Sequence, residues 1–257
     1  MTSVAARVSG SVWAWASMSR SSIALTNLRA LVILIVLAFH SVLPYLASLP
    51  AEAFAFDRPP YQWLAFPIVD HQRWFGFDLF CAWQDVGLMS LMFLLSGLFV
   101  PASLERRGSL GFLLERLVRI GVPICFAVVL LAPLAYYAAY RTTAVDPGPA
   151  AYWQHWLALP FWPCGPQWFL GQLLAFNLLA AALHQATPRA RQLLAALAAV
   201  IGSDPMRFFV MLLAASALAY VPLVLAFTPF EWTSIGPVSF QLSRPLHYLV
   251  YFIAGMA

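Results

Sequence analysis

A histidine and a pair of arginines, Arg116 and Arg119, are the residues whose type and spacing point to chemistry. The apolar run Leu28–Leu49 is broken only by His40 and Pro44. An ionisable side chain in such a run is expensive in lipid, so it normally faces a bundle interior and serves a function. Imidazole titrates near neutral pH and suits a general base. The run is equally compatible with a buried, hydrogen-bonded histidine at the outer end of a span. Arg29 lies about 16 Å below His40 at the helical rise per residue. Arg116 and Arg119 are three residues apart and share a helix face. Two guanidinium forks on one face suit a phosphate-rich ligand. The rule that basic residues collect on the cytoplasmic side would place arginines there in any membrane protein, and Arg106 and Arg107 fit that account still better. Ser96 would need a base beside it to act as a nucleophile. With Gly97 it reads first as a small-residue packing surface. His71, His155 and His184 fall in connectors or at a span end and read as solvated or interfacial. Cys81 and Cys164 both fall on the outer side and suit pairing in an oxidising compartment. Cys125 reads as packing. No metal-ligand spacing, Gly-rich phosphate loop or internal repeat is present.

The elements that must position these groups are membrane helices. Of 257 residues, 62% are apolar and 9% charged, against about 25% charged in an ordinary soluble domain. So few charges cannot solvate a globule of this length, and so apolar a chain is not disordered. Three cysteines exclude a disulfide scaffold. At about 20 apolar residues per crossing, spans are expected over Leu28–Leu49, Val86–Leu104, Ile120–Tyr140, Gln167–His184 and Phe208–Phe227. A sixth begins near Leu246 and is short at Ala257. The apolar stretch Leu193–Ile201 is too short to cross and is expected on the inner surface.

All 14 basic residues are arginine, and their placement sets the orientation. Arg7, Arg20 and Arg29 precede the first span without an acid. The next connector, 50–85, is acidic, and the following one holds Arg106, Arg107, Arg116 and Arg119. The connector 141–166 has only Arg141 and Asp146, and the next holds Arg189, Arg191 and Arg207 against Asp204. This alternation requires a cytoplasmic N-terminus and explains the basic balance without nucleic acid. The segment before Leu28, residues 1–27, reads as a cytoplasmic tail, and 28–257 as the transmembrane domain. A signal peptide over Leu28–Phe39 is the alternative, but His40 and Pro44 sit badly in one. Aromatic residues crowd the first outer connector (Phe54, Phe56, Tyr61, Trp63, Phe66, Trp74) and the stretch 152–168, as headgroup-level or covering segments do.

Five pieces, in order, resemble the membrane acyltransferase 3 family of sugar O-acetyltransferases and glucan succinyltransferases. Arg29 and His40 resemble its basic-X10-His motif. Met92-Phe93-Leu94-Leu95-Ser96-Gly97-Leu98 resembles its Phe-rich second helix, although Leu94 and Leu98 stand where the family often has aromatics. Arg116-Leu117-Val118-Arg119 resembles its R-x-x-R motif, Gly165–Leu170 its W-F-L entry, and Tyr251–Gly255 a later segment. The resemblance covers residues 22–257 and implies an all-α polytopic bundle, five full spans plus a truncated sixth. Family members usually have more spans, so the chain is similar to the N-terminal portion of one. The implied activity moves an acetyl or succinyl group from cytoplasmic acyl-CoA, a co-substrate rather than a bound cofactor, to a hydroxyl of an envelope glycan or lipid-linked sugar. The implied location is the inner membrane of a bacterium. His40 would be catalytic, as base or acyl carrier, while Arg116 and Arg119 would hold the donor's phosphates and Arg29 would line its path. The rival readings are part of a proton-coupled transporter or flippase, with His40 as relay, and an inactive membrane fragment. Transporters often carry inverted repeats, which this chain lacks.

Overall fold

The computed structural model describes residues 20–50, 55–59, 68–186, 204–236 and 238–257, with isolated helical positions at 192, 196 and 199. Among them, five helical stretches are long and apolar enough to cross a membrane. The chain divides after Ser41 into two compact units.

The described residues of the first unit all belong to helix α1, Arg20–Val42. No Gly or Pro interrupts it, and Leu, Ile and Ala supply its helix propensity. It starts eight residues before Leu28. Pro44 ends it, because a proline has no N–H to continue the α-helical ladder, and Leu43–Tyr45 form a single 3-10 turn. Leu34 and Leu37 are about 60% exposed, as apolar side chains facing lipid are.

In the second unit, the span expected over Val86–Leu104 is displaced. The apolar stretch runs over Phe75–Gly97, as α2 (Phe75–Asp85) and α3 (Leu88–Gly97) on either side of Val86-Gly87. Asp78 and Asp85, taken as connector charges, lie within it because each has a fixed partner. The Asp78 carboxylate accepts the backbone N–H groups of Ala47 (2.8 Å) and Ser48 (3.0 Å), and Asp85 binds Arg244.

The next helical stretch also exceeds the expected Ile120–Tyr140, covering Val100–Thr143. It comprises α4 (Val100–Arg116), α5 (Val122–Phe126) and α6 (Ala132–Thr143). Wider π turns at Leu117–Gly121 and Ala127–Leu131 join them. Each π turn ends two residues before a proline, Pro123 or Pro133. A missing N–H and a bulky ring account for the loosened winding there. The expected basic connector is thus helical, bent at Gly108, whose φ of 68° a residue with a Cβ avoids.

Helix α7 is Pro149–Ala158 and α8 is Trp168–Ala186. Helix α9, Pro205–Phe227, opens with Asp204 accepting the Met206 N–H at 2.9 Å, a standard N-cap ahead of a first-turn proline. An antiparallel hairpin, β1 (Trp232–Ile235) and β2 (Val238–Gln241), precedes α10, Pro245–Met256. The stretch 193–201 is outside the described residues except at 196 and 199, as are Phe54, Tyr61, Trp63 and Phe66 of the first outer connector.

The main core joins α3, α4, α8 and α10 around Phe93, Phe112, Phe176 and Phe252. Glycines set the α3–α10 spacing. A Cβ on Gly97 would run into the Phe252 carbonyl, and one on Gly255 into that of Leu94. The Ser96-Gly97 pair therefore packs helices, as expected, and the Ser96 hydroxyl donates to the Met92 carbonyl at 2.7 Å. A second cluster joins Phe56 of the outer connector to Tyr136, Tyr140 and Tyr152. Phe56 meets Tyr136 edge to face, 4.9 Å between centroids. Phe56 therefore packs against α6 and α7. Tyr152 donates to the Pro133 carbonyl at 2.6 Å, and burial holds its phenol protonated above the usual range. The suggested Cys81–Cys164 disulfide does not form, since all three cysteines are free thiols. Cys164 is buried in the main core and Cys81 is buried on α2.

Candidate functional site

His40 occupies the last turn of α1 and is half-buried. Its Nδ1 lies 2.8 Å from the Val36 carbonyl. A carbonyl only accepts, so Nδ1 carries the proton in the neutral ring and Nε2 holds the basic lone pair. Eleven residues are close to three helical turns, so Arg29 shares the face of His40 in the continuous α1.

Arg116 and Arg119 meet different neighbours. Arg116 ends α4, with its guanidinium over the Phe112 ring at 4.9 Å. Arg119 lies on the wide π turn, 67% exposed, and pairs with Glu115 at 3.1 Å. Glu115 also receives Arg107 at 3.1 Å. The bend at Gly108 makes that contact possible, because positions eight apart on a straight helix are too distant. Arg107, read as a bulk cytoplasmic charge, therefore joins Arg119 around one carboxylate. His155 is likewise engaged, its Nδ1 2.7 Å from the Tyr140 hydroxyl.

A polar cluster that the sequence reading missed lies at the start of α10. Arg244, His247 and Tyr248 are spaced i, i+3 and i+4, which places them on one helix face. Arg244 binds Asp85 through both Nη atoms, at 2.7 Å to Oδ1 and 2.5 Å to Oδ2. Its Nη1 also donates to the Tyr248 hydroxyl at 3.2 Å. Arg244 is nearly buried, with 10% of its side chain exposed against 49% for Asp85. His247 lies between two hydroxyls, with Nε2 2.9 Å from Ser90 Oγ on α3 and Nδ1 2.8 Å from Ser216 Oγ on α9. Tyr220 and Tyr251 flank the ring at 5.3 and 5.1 Å. The available signal was the i, i+3, i+4 run of polar groups opening an apolar helix.

The acyltransferase domain model of the acyltransferase 3 family matches residues 22–257. The chain belongs to that family. The match runs from the first turn of α1 through α10 and takes in Arg29, His40, Arg116 and Arg119 as well as the cluster at His247. No curated protein and no solved structure matches the chain. With the five candidate spans, this acyltransferase 3 chain is a multi-pass membrane protein of acyltransferase type. Among the described residues, no group of three His, Cys, Asp or Glu side chains is placed to hold a metal ion.

Proposed function

We propose that the protein transfers an acetyl or succinyl group from cytoplasmic acyl-CoA to a hydroxyl of an envelope glycan or lipid-linked sugar at the inner membrane. The observation that carries this reading is His40, an imidazole in an apolar helix of an acyltransferase domain. Its Val36 contact fixes the tautomer with Nε2 basic. In this reading Nε2 takes the proton of the acceptor hydroxyl as its oxygen attacks the acyl carbonyl, and the thiolate of CoA leaves. Direct base catalysis is favoured over an acyl-histidine because it moves the acyl group in one displacement instead of two.

The donor's phosphates are assigned to Arg116 and Arg119 on the inner side. Arg29, on the face of α1 that carries His40, is assigned to the donor's path. Phosphate would compete with Glu115 for Arg119, an exchange of one anion for another at an exposed site. Replacing His40 with Ala in the full-length protein, expressed in cells, tests the assignment. Loss of acylated glycan is expected, and wild-type levels would overturn it. Proton-coupled uptake into vesicles without acyl transfer would favour a transporter instead.

A further inference from the structure

Ser96 carries the motif resemblance, but its hydroxyl is spent on its own helix. Ser90 and Ser216, by contrast, each have an imidazole nitrogen beside them. Ser90 Oγ, His247 Nε2, His247 Nδ1 and Ser216 Oγ form one line of contacts at 2.9 and 2.8 Å. This is the arrangement of an activated nucleophile: hydroxyl, base, and a third group that orients the base. Both serines are buried, at 4% and 7% exposed. Ser216 stands at the midpoint of α9 and is the one buried residue among those described on that helix. A helix that turns a hydroxyl, rather than an apolar side chain, toward its neighbours does so for a polar partner. An imidazole within apolar helices is costly unless it serves a function. The Gly97 and Gly255 crossing fixes α3 against α10 two turns further on, so the Ser90–His247 pair is held before any substrate arrives.

We propose that Ser90 is an acyl-carrying nucleophile activated by His247, with Ser216 positioning the ring. The acyl-CoA donor in this proposal rests on the function proposed above. With Nδ1–H donating to Ser216 Oγ, Nε2 accepts the Ser90 proton as Ser90 Oγ bonds to the thioester carbonyl carbon. The C–S bond breaks and CoA leaves as thiol, taking the proton from His247. An acceptor oxygen then attacks the Ser90 ester in place of the thioester, a two-step route that replaces the single displacement described above, and His247 Nε2 takes its proton. The C–O bond to Ser90 breaks, and Ser90 Oγ recovers that proton from His247. The bare alternative is a polar tie among α3, α9 and α10, which makes no covalent adduct.

The test uses the full-length protein in native membranes and two probes. A fluorophosphonate forms a P–O bond to an activated serine and expels fluoride, independently of any acyl donor. Acetyl-CoA and succinyl-CoA, each supplied without acceptor, then report the acyl-serine as a mass increase on the Ser90 peptide. Both labels are expected at Ser90, absent from Ser90→Ala, and at least about tenfold weaker in His247→Gln, the scale of losing a general base. Ser90→Cys keeps a nucleophile and is expected to recover an acyl adduct that hydroxylamine removes. Label on Ser216 instead of Ser90, equal label in His247→Gln, or wild-type glycan acylation by Ser90→Ala would overturn the proposal. If His40→Ala abolishes acylation while Ser90→Ala does not, the relay falls and the transferase reading stands. If fluorophosphonate labels Ser90 but neither acyl-CoA does, the donor assignment falls.

Discussion

Two histidines in apolar helices show two ways of holding an imidazole. His40 is satisfied within α1, by a carbonyl one turn back. His247 is satisfied by hydroxyls from two other helices, α3 and α9. The first arrangement is complete within a single helix and survives changes elsewhere in the bundle. The second exists only when three helices are docked, so it reports the bundle's integrity and can contribute to catalysis only in the assembled state. The same contrast separates the arginines. Arg119 pairs one turn away along its own helix, whereas Arg244 reaches Asp85, 159 residues away in sequence.

The largest effect that tests this contrast is on activity. His40→Gln should lower acyl transfer by about 10²–10⁴-fold, the usual contribution of a general base. Its thermal unfolding midpoint in detergent should stay near wild type, because only a contact within α1 is altered. His247→Gln should lower both transfer and the midpoint; a drop in stability for His40→Gln alone would reverse the comparison.

Next comes Asp85→Asn, which leaves a nearly buried guanidinium without its counter-ion. Breaking a fully buried pair costs about 3–5 kcal/mol, and half-exposure of Asp85 reduces the expected loss to about 1–3 kcal/mol. A double-mutant cycle with Arg244→Gln should show coupling between the two, and simple additivity would remove the pair from the fold's support.

Gly97→Ala places a Cβ against the Phe252 carbonyl and should cost about 1–3 kcal/mol through overpacking. Gly87→Ala provides the control, since its Cβ would meet nothing within 4 Å.

The smallest stability effect belongs to the exposed arginines. Arg119→Ala should change stability by less than about 1 kcal/mol, as exposed ion pairs do. Arg116→Ala with Arg119→Ala should still raise the KM for acyl-CoA more than Arg106→Ala with Arg107→Ala. Equal effects would leave orientation as the arginines' role.

Much of the architecture was legible because lipid imposes a simple rule. An apolar run of sufficient length must close its backbone hydrogen bonds internally as helix. Composition alone therefore yielded the membrane class, and Leu28–Leu49, Gln167–His184 and Phe208–Phe227 each correspond to an observed helix. The second span was misplaced because Asp78 and Asp85 look like boundary charges until their partners are known. The third was shortened because Glu105–Arg119, although polar, continues as helix. Within the site, His40 was legible because its cost is local: one ionisable group in one apolar helix.

His247 depended on the third dimension. In sequence it is one polar residue near the start of a short helix, and Ser90 and Ser216 are unremarkable small residues in apolar runs. Hydropathy measures each segment's transfer from water to lipid, and so fixes which segments become helices. It contains no information on which helix faces meet. That was decided by close packing at Gly97 and Gly255 and by the long-range pairing of Asp85 with Arg244. These contacts bring a hydroxyl, an imidazole and a second hydroxyl into line.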